Sequence, residues 1–200
     1  MRALARPIRV GFEHGRCDDA WVTNLKVRPW APADLERIGL VHSRSRQKAY
    51  ARLVPTEALS QVTPEQQTSV WTDRLANLPQ THAALVVEQE GEVVGFALAQ
   101  LDPASGAQLN AIHVLPEHQG TGAGQALMDA VVDAFRAWGV SEAHLHMLKG
   151  NARAEAFYRR NGWRLRGAAG FHEIAGASVP ISEYRLAIER SSRQRRAPSP

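Results

Sequence analysis

Cysteine is nearly absent. Cys17 stands alone in 200 residues, so no internal disulfide staples the fold, and its position near the start gives no sign of a nucleophile. No run of eighteen apolar residues occurs, which argues against a membrane-spanning helix. The opening segment MRALARPIRVGFEHGRC lacks the continuous apolar stretch of a signal peptide, and the expected location is the cytoplasm. Excess charge of one sign is also missing from the body. The net charge of +4 and the pI near 9.7 belong to the two ends: Arg2, Arg6, Arg9 and Arg16 at one, Arg190, Arg193, Arg195 and Arg196 at the other. Residues 17–188 hold 16 basic and 18 acidic side chains, a balance of −2, which disfavours a nucleic-acid-binding module.

A further absence concerns the one glycine-rich stretch, Gln119-Gly120-Thr121-Gly122-Ala123-Gly124. Gln125 follows it, so there is no lysine for outer phosphates and no hydroxyl for magnesium, and a P-loop is disfavoured. The dinucleotide pattern G-x-G-x-x-G also breaks at position 125, and the nearest suitably spaced acid, Glu142, precedes the next predicted strand instead of ending it. What is present is an extended run, Gln108 to Val114, passing through Leu115-Pro116-Glu117 into these glycines and then into a helix. Such a layout suits an anion. Glycine removes the Cβ atoms that keep a ligand off the backbone, and the first amides of the helix lack intrahelical acceptors.

The remaining order of elements narrows the fold. Val22 to Arg28 reads as a strand, Asp34 to Ser43 as a helix with Leu35, Ile38, Leu40 and Val41 on one face, and Ala49 to Pro55 as a loop near the entrance for a second ligand. Thr63 caps a helix from Pro64 or Glu65 to Leu78, with Gln66 at capping-box spacing. Ala83 to Gln89 and Glu92 to Leu101 form a hairpin about Glu90-Gly91, and Ala107 to Val114 adds a third antiparallel strand. A glycine turn that follows three consecutive strands stands in the wrong place for a Rossmann domain. Beyond it, Leu127, Val131, Ala134, Phe135 and Trp138 share one stripe of a helix ended by Gly139. Ala143 to Leu148 then forms a strand parallel to Gln108–Val114 through a right-handed crossover. A short helix from Ala152 to Asn161 stops at Gly162, and strands Trp163 to Glu173 and Val179 to Ile188 flank a loop at Ala175 to Ser178.

The segment Asn151-Ala-Arg-Ala-Glu-Ala-Phe157-Tyr158-Arg-Arg-Asn-Gly162-Trp163 supplies a second motif. Together with the Gln-x-x-Gly-x-Gly turn it resembles the GNAT superfamily (GCN5-related N-acetyltransferases), in the right order and over roughly residues 22–188. The resemblance implies an α+β fold with α/β/α layers: a mixed central sheet of six to seven strands with a splayed parallel pair at the acetyl-CoA site. It implies one domain over residues 21–188, between a flexible basic leader at 1–20 and a disordered basic tail at 189–200. The run Ala49-Tyr50 to Pro55, Trp71, Glu173-Ile174 and Arg185 looks like a bacterial branch of small-molecule acetyltransferases, some similar to polyamine acetyltransferases.

Carried over by position, the resemblance implies that the backbone of Ile112, His113 and Val114 pairs with the pantetheine arm. The N–H of His113 or Val114 then polarises the thioester carbonyl. Amides of Gln119, Gly120, Thr121, Gly122, Ala123 and Gly124, with Gln125 beside them, bind the pyrophosphate. Asn151 reaches the pantetheine amides, although helix capping explains that residue equally well. Tyr158 is the acid that protonates departing CoA thiolate. The implied reaction is acetyl transfer from acetyl-CoA to a primary amine in a ternary complex, without a metal, nucleic acid or membrane, by a monomer or homodimer. The acceptor is a polyamine-like or other small amine, or a peptide N-terminus. Gln108 departs from the pattern, since a glutamate is common there and an amide is no base. Glu173, Glu183 or a histidine, acting through water, remains open for that role, as does an amine arriving neutral. A non-catalytic acyl-CoA sensor is the alternative reading.

Overall fold

Among the described residues seven strands pair into one mixed sheet in the order β1-β2-β3-β4-β5-β7-β6. They are β1 (Leu25–Pro29), β2 (His82–Gln89), β3 (Glu92–Asp102), β4 (Gly106–Val114), β5 (Glu142–Leu148), β6 (Arg164–Ile174) and β7 (Ala177–Ala187). The helices are α1 (Leu35–Tyr50), α2 (Thr56–Ser60), α3 (Pro64–Ala76), α4 (Ala123–Ala137) and α5 (Ala152–Arg160). The structure, a computed structural model, describes residues 24–189; the expected start of the first strand at Val22 and nearly all of both expected tails lie outside them.

Alternation along the strands builds two main cores, and a smaller third cluster packs Ala58 and Leu59 of α2 against Leu148, Ile174 and Val179. On one face α4 buries Leu127, Val131 and Phe135 against Val87, Leu109 and Leu145. On the other, α1 and α3 bury Ile38, Val41 and Trp71 against Val86, Phe96 and Leu98. Consecutive Val86 and Val87 therefore serve opposite layers, as a period of two requires. The layering is α/β/α. Where α1 crosses α3 the backbones nearly touch: a Cβ on Gly39 would lie 2.7 Å from the Thr68 nitrogen and 2.8 Å from the Pro64 oxygen. Only glycine fits that crossing.

The hairpin between β2 and β3 turns at Glu90 (φ 54°) and Gly91 (φ 85°), the pair of positive φ angles that a type I′ turn needs. Three expectations require correction. Ala49 and Tyr50 are not loop but the last turn of α1, which continues seven residues past Ser43 to Tyr50, and the short α2 follows. The apolar signal fades there because α1 buries small polar residues instead: Ser45 is 4% exposed, and buried Ser43 donates to the Val62 carbonyl at 2.6 Å. The loop expected at Ala175 to Ser178 is a tight turn on Ala175 and Gly176, both at positive φ, with strand resuming at Ala177. Thr63 does cap α3, accepting from the Gln66 N–H at 3.2 Å, but the reciprocal half of the box is not made. The Thr63 N–H donates to the Gln61 carbonyl instead.

A charged cluster fixes the start of α1 against the sheet. Arg28 donates to both Asp34 oxygens at 2.7 and 2.8 Å and to Glu88 at 2.7 Å, and Asp34 is only 6% exposed. The Arg28 hydrogen bonds hold the Asp34 carboxyl below its ordinary range. A carboxyl whose folded pKa is depressed contributes stability above its unfolded value of about 3.9, and that contribution disappears as pH falls through and below it. Asp34→Asn is therefore expected to cost about 1–2 kcal/mol at pH 7, discounted for the solvent that reaches Arg28, and to flatten the acid limb of a Tm-against-pH curve below about pH 4. An acid limb unchanged by the substitution would assign that limb to other carboxylates.

Candidate active site

The sheet is forked. Parallel strands β4 and β5 pair only at Ala107↔Ala143, Gln108↔His144 and Leu109↔Leu145. Beyond that point β4 stays with β3 as far as Val114↔Gly95, and β5 stays with β7 as far as Leu148↔Ile181. Asn110 is the reason the fork opens there. The β3–β4 register slips between Leu98↔Ala111 and Ala99↔Leu109, which leaves Asn110 as an extra, bulged residue. The bulge also flips the faces: Leu109 lies in the core under α4, whereas Ala111, two residues on, lies in the core under α1 and α3.

Backbone groups exposed in the fork follow from the ladder. The Leu115 N–H donates to the Val94 carbonyl at 2.9 Å, and donors on an antiparallel strand alternate between its two sides. His113 therefore pairs toward Phe96 on β3, while Ile112 and Val114 present their N–H and C=O groups to the gap. Gln119 holds the next turn onto this edge, its amide donating to the Val114 carbonyl at 3.2 Å. A cavity of about 990 Å³ fills the fork and runs from the glycine turn past α5 to α1, α3 and β6.

The glycine turn is shaped as a cradle. Gly120 (φ 93°) and Gly122 (φ 95°) are left-handed, and Gly122 is the N-cap residue of α4. Gln119, Gly120, Gly122, Gly124 and Gln125 line the cavity. The side chains of Thr121 and Ala123 do other work: Thr121 donates to the His118 carbonyl at 2.8 Å, and Ala123 is fully buried in the core. Gln125 directs its amide to Asp129 (2.8 Å) and Asn161 (2.7 Å), which ties α4 to α5. Asn151 lines the cavity and caps α5, its Oδ1 accepting from the Ala154 N–H at 3.2 Å. Capping uses the oxygen and leaves the Nδ2 donors unused, so the cap does not preclude the expected ligand contact.

Tyr158 projects from α5 into the same cavity, among the rings of Phe157, Trp163 and Tyr184. Burial, with Tyr50 adding to it, pushes its hydroxyl well above the ordinary tyrosine value, so it stays protonated at neutral pH. His113 lies on the α1 side. Its Nδ1 is 2.8 Å from the Ser45 hydroxyl, and its ring stacks on Phe96 and meets His42 edge-on at 4.6 Å. Desolvation, then Arg46 and Arg74, lower its pKa from 6.5 to about 3. This imidazole stays neutral and takes no proton from an ammonium ion. Gln108 also lines the cavity, its oxygen accepting from Asn110 at 3.0 Å. Of the carboxylates considered for a base, Glu173 lines the cavity, while Glu183 does not and accepts from Arg185 at 2.5 Å.

Sequence reasoning set Tyr50 near an entrance to the site but missed the rest of that wall. His42, Arg46 and Tyr50 recur at spacings of four on α1 and all line the cavity, as does Arg74 on α3. The i, i+4, i+8 pattern was available in the sequence, but a helix ended at Ser43 hides it.

A family profile described as the acetyltransferase (GNAT) family matches residues 47–163. The chain belongs to the GNAT acetyltransferase family. An uncharacterised N-acetyltransferase of Mycobacterium tuberculosis is 32% identical over 89 residues, which cover 44% of this chain and 57% of that protein; the chain thus matches little more than half the length of this relative. Among solved structures, the PaiA N-acetyltransferase of Thermoplasma acidophilum in complex with coenzyme A superposes with a TM-score of 0.64 at 20% identity, covering 80% of this chain and 97% of that one. A GCN5-related N-acetyltransferase from Rhodopseudomonas palustris gives 0.66 at 19% identity, covering 81% and 94%. At such identity the likeness is one of fold, and the GNAT fold accounts for the forked parallel pair. Among the described residues no cluster of three or more His, Cys, Asp or Glu side chains could hold a metal, and no helix is long and apolar enough to cross a membrane.

Proposed function

We propose that this GNAT protein transfers an acetyl group from acetyl-CoA to a primary amine, with both substrates bound together. The observation that carries the reading is the fork itself, an edge of β4 with the backbone groups of Ile112 and Val114 turned to a cavity that ends on a left-handed glycine turn. The residues fit the co-substrate. An extended pantetheine arm can add to the β4 edge as a strand would, and the turn at Gly120 to Gly124 with the N-terminus of α4 suits a pyrophosphate. When bound, acetyl-CoA supplies the thioester whose carbonyl carbon the amine attacks.

The chain's own groups then divide the work. Val114 is placed to donate its N–H to the carbonyl oxygen as negative charge grows there, a contact that strengthens toward the transition state. Tyr158, kept protonated by burial, donates toward the departing sulfur. Its raised pKa is no obstacle, because the thiolate is desolvated in the same cavity and becomes more basic too. The amine has to arrive without its extra proton. His113 does not supply that step, which leaves Glu173, His146 or His172 on the cavity wall acting through water, or an amine neutral in solution. Incubation of the protein with acetyl-CoA and a panel of amines, followed by free thiol, tests the reading. Thiol release dependent on an amine is expected; tight acetyl-CoA binding with no release for any amine would make the protein an acyl-CoA sensor.

A further inference from the structure

Charge on the cavity wall is lopsided. Arg46, Arg74, Arg153 and Arg160 line it against a single acid, Glu173. Arg153 and Arg160 belong to α5, the helix whose Phe157 packs against Gly124, and so stand on the glycine-turn side. Arg46 and Arg74 stand on the opposite side, on α1 and α3. Arg28, Arg37, Arg44, Arg136, Arg159 and Arg185 contact carboxylates, and Arg52, Arg153, Arg160, Arg164 and Arg166 do not but are exposed; Arg46, half-buried, and Arg74 have no acidic partner among the described residues.

Arg46 carries the argument furthest. Its Nε is buried and without a hydrogen-bond partner, while its guanidinium lies over the Tyr50 ring at 5.4 Å from the centroid. Burial pulls its pKa below the ordinary guanidinium range, and Tyr50 opposes that pull. Among the described residues no carboxylate meets this half-buried guanidinium, which leaves a ligand anion in the cavity free to serve as its counter-charge. Arg74 lies over the Trp71 ring at 5.1 Å; the Trp71 indole donates to His42 at 2.8 Å, and His42 touches His113. Both guanidiniums are therefore supported on aromatic faces beside the β4 edge.

We propose that the acceptor is a small amino carboxylate, whose carboxylate is held by Arg46 and Arg74 while its amine lies at the β4 edge beside Val114. This rests on the acetyl-transfer reading and names its substrate class. A guanidinium fork matches a carboxylate in shape and charge. A polyamine would instead bring ammonium groups against two uncompensated cations, which disfavours it as the acceptor. Acceptor binding responds to the charge lining the cavity and not to the balance of −2 over residues 17–188.

The test is calorimetric titration of the full chain with the protein amino acids, simple dipeptides, their C-terminal amides and spermidine, with thiol release from acetyl-CoA measured in parallel. At least one carboxylate is expected to bind about 10-fold or more tightly than its amide. Arg46→Gln should weaken that carboxylate about 10- to 100-fold, leave the amide nearly unchanged and leave acetyl-CoA affinity within about twofold. Should Arg46→Gln fail to give a wild-type melting transition, Arg74→Gln at the more exposed position is read in its place. The proposal is overturned if no carboxylate binds in preference to its amide, if spermidine binds best, or if the substitution weakens every amine or acetyl-CoA alike. Carboxylate-selective binding without thiol release would keep the anion site and remove the acetyl-transfer reading. Thiol release with spermidine and no carboxylate preference would do the reverse.

Discussion

Tyr158→Phe is expected to lower kcat about 100- to 1,000-fold while the KM for acetyl-CoA changes by less than about threefold, the range a positioned general acid contributes. The substitution removes one oxygen and keeps the ring that packs near Trp163 and Tyr184. Its cost to folding should therefore be small, and the melting temperature serves as the control. The split between kcat and KM follows from when the hydroxyl acts. In the ground state the thioester sulfur carries little charge and gains little from a donor, whereas in the transition state it is becoming a thiolate. Burial holds the phenol protonated across the physiological range, so the rate should show no limb from Tyr158 below about pH 9. A kcat unchanged by the substitution would take Tyr158 out of the chemistry and leave it a packing residue of α5. A fall confined to KM would make it a binding residue for the cofactor arm.

Most of the sheet was legible because its strands carry signals that no tertiary contact overrides. The β2–β3 hairpin announces itself by Glu90-Gly91 between β-branched runs, and the parallel pairing of β4 with β5 follows from a strand, a turn, a helix and a strand in succession. The glycine turn and the cap at Asn151 were legible for the same reason, since each local requirement is met by a local residue type. What was not legible depends on contacts distant in sequence. The bulge at Asn110 shows only in the register against β3, yet it decides that Ile112 and Val114, and not His113, turn their backbone groups to the fork. The end of α1 was missed because its buried face there is Ser43 and Ser45, bonded into the loop at Val62, instead of leucines. That error hid Arg46 and its shared face with His42 and Tyr50, although Tyr50 itself had been set near the acceptor entrance. The imidazole of His113 has the composition of a base; its surroundings, two arginines and little water, make it a neutral hydrogen-bonding group.

Gly122→Val is expected to have the opposite kinetic signature: KM for acetyl-CoA raised about 10- to 100-fold, with kcat changed much less. Gly122 sits at φ 95° as the N-cap residue of α4, and it lines the cavity. A β-branched residue at that φ is strained, by about 1–2 kcal/mol, and its Cβ would lie 3.4 Å from the Leu25 side chain, so the turn that presents the free amides at the start of the helix has to shift. Both effects act on binding of the phosphates, which are distant from the reacting carbonyl and held equally before and during the reaction; such uniform binding appears in KM. Strain alone would also lower stability, so a second glycine separates the causes. Gly91 has nearly the same conformation, φ 85°, in the β2–β3 hairpin, with nothing within 4 Å of an added Cβ and no part in the cavity. Gly91→Val should lower the melting temperature by a comparable amount and leave KM alone. If the two variants shift KM equally, the glycine turn is a structural element and the pyrophosphate lies elsewhere; if only Gly122→Val does, the left-handed turn at the head of α4 is the phosphate cradle.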